Sequence, residues 1–264
     1  MNLDGAIEAF RRNGQAVERL LDFDHVILEV AVQGLRELEQ QLDDRNLHSA
    51  LPLVRNRAAL LENLKVSDSL RPQYEAIFNQ CVVLLVAYFA SAPHTLFRES
   101  VAAALTINAD VPATTEQLKM SWRTVVEAED EKAQMFAELL IAHHDISFQD
   151  MQSVSRAFST HLKIDPPRFT ATNDIIVGQA ARHVIAHAAP LVDRKMLNQV
   201  RAAAPRTLKP ILVEGEAIRF SPTEVKTLAA SMEMYLADLT DAVKVWAEMW
   251  SVATRASALD RRSG

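Results

Sequence analysis

The sequence predicts an all-α protein, a helical bundle with a long coiled-coil-like N-terminal helix and one small β-hairpin. Three observations predict it. The 264 residues include only six glycines, too few for the turn that a β-sandwich needs about every 8–12 residues or for the glycine-rich loop of a dinucleotide-binding fold. A hydrophobic fraction of 49% with 23% charged residues is that of a globular chain with a sizeable core. Apolar residues then recur at helical spacing through most of the chain.

The first element follows from a heptad: Ile7, Phe10, Gly14, Val17, Leu21, Asp24, Leu28, Ala31, Leu35, Leu38 and Leu42 form a seam in which nine of eleven positions are apolar. Gly14 or Asp24 is the expected interruption. The seam requires a partner helix, either from a second copy or from a later helix folding back. Asp43–Asn46 and Pro52 break the chain, a short amphipathic helix runs from Leu53 to Leu64, and Ser67-Asp68 caps the next. Tyr74 to Phe97 is apolar on nearly every face (Ile77, Phe78, Cys81, Val82, Leu85, Phe89), so it reads as a central helix that Pro93 bends or ends. After a loop at Asp110-Val111-Pro112, Thr114 or Thr115 caps a helix through Trp122 to Val126. Seven carboxylates between Glu127 and Asp150, against Lys132, then mark a solvated acidic face.

Phe148 to Leu162 is the next helix, stopped by Pro166-Pro167. Asn173-Asp174 caps another that runs from Ile175 to about Ala188 and is ended by Pro190. Lys209 to Phe220, two short apolar runs about Gly215, carries the hairpin signal. Ser221-Pro222-Thr223-Glu224 places a capping serine, a first-position proline and a third-position glutamate at the start of the last helix, which reaches Trp250 or beyond. The expected organisation is an N-terminal arm over 1–66, a helical domain over 67–256 and a frayed tail over 257–264.

The formal net charge of −6 excludes non-specific coating by nucleic acid, so any polyanion site is local. Cys81 lies in an apolar run and reads as a small buried hydrophobe. The N-terminus lacks the pattern of a secretory signal, and the longest apolar run, Cys81 to Ala90, is too short to cross a bilayer, which together predict a cytoplasmic protein without a membrane partner. No phosphate loop, paired CxxC or di-iron Glu-x-x-His is present, so neither a cofactor nor a metal is expected. His143-His144-Asp145 is read as a helix-end polar cluster, because adjacent helical side chains diverge by about 100°.

The remaining chemistry gathers at Arg182-His183-Val184-Ile185-Ala186-His187. Cutting an RNA phosphodiester without metal needs a group to take the 2′-hydroxyl proton and a fixed cation for the charge on the transition state. Histidine titrates near neutrality and arginine grips phosphate oxygens bidentately. Arg-x4–6-His spacing occurs three times, at Arg19/His25, Arg156/His161 and Arg182/His187. The third is preferred for its flanks and for the charge that follows it. From Arg182 to Pro210 the charged residues are Arg182, Arg194, Lys195, Arg201, Arg206 and Lys209 against Asp193 alone, a local net of +5.

With Asn173–Gln179 before it, Val192-Asp193 after it and Ile77–Val83 as an earlier core helix, the Arg182-x4-His187 motif resembles that of the HEPN superfamily over roughly residues 70–250. The resemblance implies a helical, metal-independent endoribonuclease of toxin–antitoxin or anti-phage systems. It further implies a two-fold homodimer whose motif helices meet, His187 as general acid/base, Arg182 as phosphate and transition-state stabiliser, and an antitoxin or nucleotidyltransferase-type partner. His183 stands where many members carry asparagine, and is either an auxiliary acid/base group or the mark of a branch that binds without cutting. RNA contacts are expected from Arg194, Lys195, Arg201, Arg206 and Lys209. The rival expectation is a non-catalytic RNA-binding, antitoxin or scaffold protein.

Overall fold

A helix that is apolar all round has to be wrapped by others, and the chain is arranged about one such helix. The computed structural model describes residues 3–67, 71–119, 132–187 and 191–263, and of residues 71–73, 187 and 254–263 the backbone alone. The described elements are all helical: α1 (Asp4–Leu21), α2 (Phe23–Asp44), α3 (Leu51–Ser67), α4 (Arg71–Thr106), α5 (Pro112–Thr115), α6 (Lys132–His143), α7 (Met151–Leu162), α8 (Thr170–His187), α9 (Arg194–Ala202) and α10 (Pro222–Ser263). Of the predicted Ser67-Asp68 cap, Ser67 is instead the last residue of α3 and Asp68 lies outside the described residues, as does the predicted helix through Trp122 to Val126, whose candidate caps Thr114 and Thr115 fall inside α5.

α4 is the hub. α1, α6, α7, α8 and α10 all pack against it. Cys81, Val82, Leu85, Val86 and Phe89 are fully buried, while Ile77, predicted inside, sits at the edge with 37% exposed. By length and composition residues 74–106 could also cross a membrane, but 56% of the apolar window is buried within the bundle. Pro93 neither ends nor visibly divides the helix, which continues to Thr106. The ring removes one backbone bond, and the packing of both flanks outweighs that loss: Phe89, Leu96 and Phe97 are each 0% exposed.

The N-terminal seam divides at Asp22, where φ is −106° and ψ 7°. Gly14 stays helical and Asp24 falls inside α2, so neither expected interruption is the one observed. Each half finds its partner within the chain. α1 buries Ile7, Phe10, Val17 and Leu21 against α4 and α10, and α2 pairs with α3. Ion pairs Arg36–Glu62, Lys65–Glu29 and Arg55–Glu39 line the α2–α3 seam. On its other side α2 leaves Phe23, Val26, Ile27 and Val30 more than half exposed.

Among the described residues there is no strand, so the predicted hairpin at 209–220 is corrected to a loop. The turn itself forms: Gly215 has φ +82° and Glu216 N–H bonds the Val213 carbonyl at 3.1 Å. Its limbs do not pair with each other; the turn instead pairs with the segment before α9, Val192 donating to Glu216 O and accepting from Gly215 N–H, both at 2.9 Å, beside an isolated antiparallel bridge between Leu191 and Ala217. Ile218 and Phe220 turn into the core, leaving Ile211 84% exposed without an apolar partner across the turn. The cap at Ser221 forms as the sequence predicts, with Ser221 N–H donating to Glu224 Oε2 at 2.7 Å and Glu224 N–H to Ser221 Oγ at 3.3 Å. α10 then runs to Ser263, so the segment expected to be a frayed tail has helical backbone.

α8 and α10 approach closely at one glycine. A Cβ on Gly178 would stand 2.8 Å from both δ-carbons of Leu228, a side chain with no exposure through which to escape. Gly178→Val should therefore lower stability by about 1–3 kcal/mol in urea unfolding. Adding Leu228→Ala should make the pair less damaging than the two single changes summed.

Candidate functional site

α8 carries the predicted motif, and its first turns are anchored to the loop that follows α9. The predicted cap pair does different work, because α8 begins at Thr170 and not after Asn173-Asp174. Asn173 Nδ2 donates to the Pro205 carbonyl at 2.7 Å. Asp174 is 1% exposed; its Oδ1 accepts N–H bonds from Thr207 and Leu208 at 2.8 and 2.7 Å, and its Oδ2 accepts the Ser231 hydroxyl at 2.9 Å. On the neighbouring face Gln179 Oε1 accepts the Met151 N–H at 3.1 Å, fixing the start of α7 beside α8. Asp150 caps α7 by accepting from Ser153 N–H and Oγ, both at 2.8 Å, and Asp193 caps α9 by accepting from Met196 N–H at 2.7 Å. Three helices are thereby held with their polar faces converging.

Between them lies a cleft of about 650 Å3 lined by Arg156 from α7, Arg168 from the α7–α8 loop, Arg182 and His183 from α8, and Lys195 from α9. A second groove of about 550 Å3 shares Arg156 and Arg168 and extends the surface across α7. Among the described lining residues Asp150 is the one carboxylate, and both its oxygens serve the α7 cap. Four permanent or near-permanent cations thus face one engaged anion, an arrangement that attracts phosphate.

The other predicted RNA contacts are dispersed. Arg194 lies 3.6 Å from Glu214, and Arg201 is exposed on α9. Arg206 turns inward to donate to the carbonyls of Val200, Ala203 and Leu208 at 2.8–3.1 Å, closing the end of α9. Lys209 lines a separate cavity with Glu75, Glu216, Arg219 and Glu224, larger at about 1150 Å3 but mixed in charge. His187 is the last residue of α8, and its side chain lies outside the described residues.

Arg156 and Arg168 reach the cleft although sequence reasoning did not count them among its cations. The available signal was the exposed face of an amphipathic helix: Val154, Ala157 and Phe158 face inward, leaving Arg156 outward. The rival Arg156/His161 pair is split across that helix, with Arg156 in the cleft and His161 buried on the far side against Phe97, ring centroids 6.0 Å apart.

Around His161 a second polar group assembles. The His144 ring is 4.9 Å from those of both His143 and His161, and its Nε2 lies 3.5 Å from Glu116 Oε1. Burial, and then the neighbouring His144, lower the His161 pKa from its ordinary value, with Glu116 opposing. The cluster stands at a helix end, as the sequence predicts: α6 ends at His143 and the chain reverses through Asp145 at φ +48°, and there the two adjacent rings stay together.

No family model, curated protein or solved structure matches the chain.

Proposed function

We propose that the α7–α8–α9 cleft binds RNA and that the protein is a metal-independent endoribonuclease of HEPN type, acting in a cytoplasmic toxin–antitoxin or anti-phage setting. The observation that carries this reading is the convergence of Arg156, Arg168, Arg182 and Lys195 on one cleft whose described carboxylate is engaged in a helix cap. Arg182 holds the scissile phosphate and offsets the charge on its oxygens. His187 takes the 2′-hydroxyl proton as the 2′-oxygen bonds to phosphorus, and the bond to the 5′-oxygen breaks as that oxygen gains a proton. Water supplies the proton to the leaving 5′-oxygen, and the products are a 2′,3′-cyclic phosphate and a 5′-hydroxyl. His183, on the cleft wall, assists as an auxiliary polar group.

A homodimer would bring two such helix ends together, and the exposed apolar residues of α2 (Phe23, Val26, Ile27 and Val30) supply surface for association with a second copy or with an antitoxin.

The test is a structured RNA pool incubated in EDTA, with RNA affinity measured beside cleavage. Wild type should cut and leave cyclic phosphate ends. A triple Arg156→Ala, Arg168→Ala, Arg182→Ala variant should bind single-stranded RNA roughly 50-fold more weakly at about 0.15 M salt, because each lost phosphate contact carries a salt exponent of about 0.7. The slope of log K against log salt should flatten by about two. Binding that the triple variant lacks, without cleavage by wild type, would favour the non-catalytic RNA-binding reading. Unchanged affinity in the triple variant would overturn the cleft.

A further inference from the structure

We infer that Glu116, His143 and His144 form a site for a divalent transition-metal ion of the zinc class, with His161 as the adjacent fourth donor. One ligand atom from each of the first three lies within 4.8 Å of the others. The His144 and His161 rings are 4.9 Å apart, which places a third imidazole against the same group. The donors come from three segments: the chain after α5, the end of α6, and α7.

Each segment is pinned where it supplies its donor. His144 N–H bonds the Leu140 carbonyl at 3.1 Å and Ile146 N–H bonds the Ile141 carbonyl at 2.9 Å, fixing the reversal that carries both histidines. Thr114 Oγ1 donates to the Ala109 and Val111 carbonyls at 2.7 and 2.8 Å, and Lys163 Nζ reaches the Asp110 carbonyl at 3.0 Å, so the chain leading to Glu116 is tied to the end of α7. Phe97 and His161 back the group, while His143 and His144 face solvent. An ion can therefore enter from outside and meet a preformed wall.

The chemistry of the donors selects the ion. Three imidazoles and one carboxylate are a nitrogen-rich set suited to zinc and its neighbours, whereas magnesium and calcium require mostly oxygen. Metal–ligand bonds of about 2.0–2.2 Å place tetrahedral donor atoms about 3.4 Å apart, so the donors of Glu116, His143 and His144, now within 4.8 Å of one another, close by at most about 1.4 Å, within reach of rotation at the exposed histidines. The bound ion would cross-link the α5–α6 connection to α7, the helix whose opposite face carries Arg156 into the cleft. The inference is independent of the ribonuclease reading.

The test is calorimetric titration of the full chain, stripped with EDTA and exchanged into metal-free buffer, with zinc chloride, and with magnesium and calcium chloride as controls. One zinc per chain is expected, with no heat from the controls. His144→Ala and Glu116→Gln should each weaken binding by more than about tenfold. Zinc at a hundredfold excess over its Kd should raise the wild-type Tm by about 5–10 °C, and should not do so in a His143→Ala, His144→Ala double variant of unchanged circular dichroism. Absence of saturable zinc binding, or equal affinity in wild type and the double variant, would overturn the site.

Discussion

Asp174→Ala should lower the unfolding free energy by about 3–5 kcal/mol, the cost of leaving buried hydrogen-bond donors without an acceptor. The carboxylate is 1% exposed and satisfies three donors from two other parts of the chain, Thr207 N–H, Leu208 N–H and the Ser231 hydroxyl. Alanine strands all three. The two backbone amides cannot rotate away, since Leu208 is itself 1% exposed and holds the loop in the core. For a chain of this length the loss corresponds to a Tm lower by roughly 10 °C or more. Asp174→Asn keeps an oxygen for the two amides and should cost only about 1 kcal/mol, because the Ser231 hydroxyl can turn to accept from the new amide. Ser231→Ala should be milder than Asp174→Ala for the same reason. Chemical denaturation of the three variants checks the order, and equal stability of Asp174→Ala and wild type would refute the role given to the carboxylate.

That network also shows where the sequence was legible and where it was not. Ser221-Pro222-Thr223-Glu224 could be read correctly because a capping box is local: the four residues satisfy one another whatever lies beyond. The central helix was legible because a face-independent apolar run has few alternatives to burial. Asn173-Asp174 has the composition of a cap, but its partners are 32 to 57 residues away, and no local pattern announces them. The hairpin failed similarly. Its turn is encoded by Gly215, whereas that turn pairs with Val192, outside the segment, and the limbs do not pair with each other. Pro93 carries a local cost that a sequence shows, but the packing on both sides of it, which a sequence does not show, keeps α4 continuous to Thr106.

The two polar groups divide along the same line. Arg182, His183 and Lys195 were found because they sit close together in sequence around one helix end. Arg156 and Arg168 join them only through the packing of α7 on α8, fixed by the Gln179–Met151 bond. Glu116, His143, His144 and His161 were invisible as a set, since they span 46 residues and depend on α6 ending at His143. Helical periodicity predicts which side chains share a face. It carries no information on where two helix ends meet.

The ribonuclease reading makes its sharpest demand on single residues of α8. Arg182→Ala should slow RNA cleavage by about 10²–10³, the loss seen when one preorganised charge-stabilising donor is removed, and His187→Ala by about 10²–10⁴, the range of general acid–base assistance. Arg182→Lys should recover little of the rate, because an ammonium keeps the charge but not the bidentate fork that matches a phosphate. RNA affinity should fall only a few-fold in Arg182→Ala, since Arg156, Arg168 and Lys195 remain in the cleft. The double variant should be no slower than about the worse of its parents, as expected for residues acting in one step. His183→Ala should cost less than about tenfold if the residue is auxiliary; a loss equal to that of His187→Ala would transfer the acid/base role to it, since the two histidines stand four residues apart on one face of α8. Single-turnover cleavage in EDTA separates these outcomes from weakened binding, and a rate indifferent to both Arg182 and His187 would remove α8 from the chemistry.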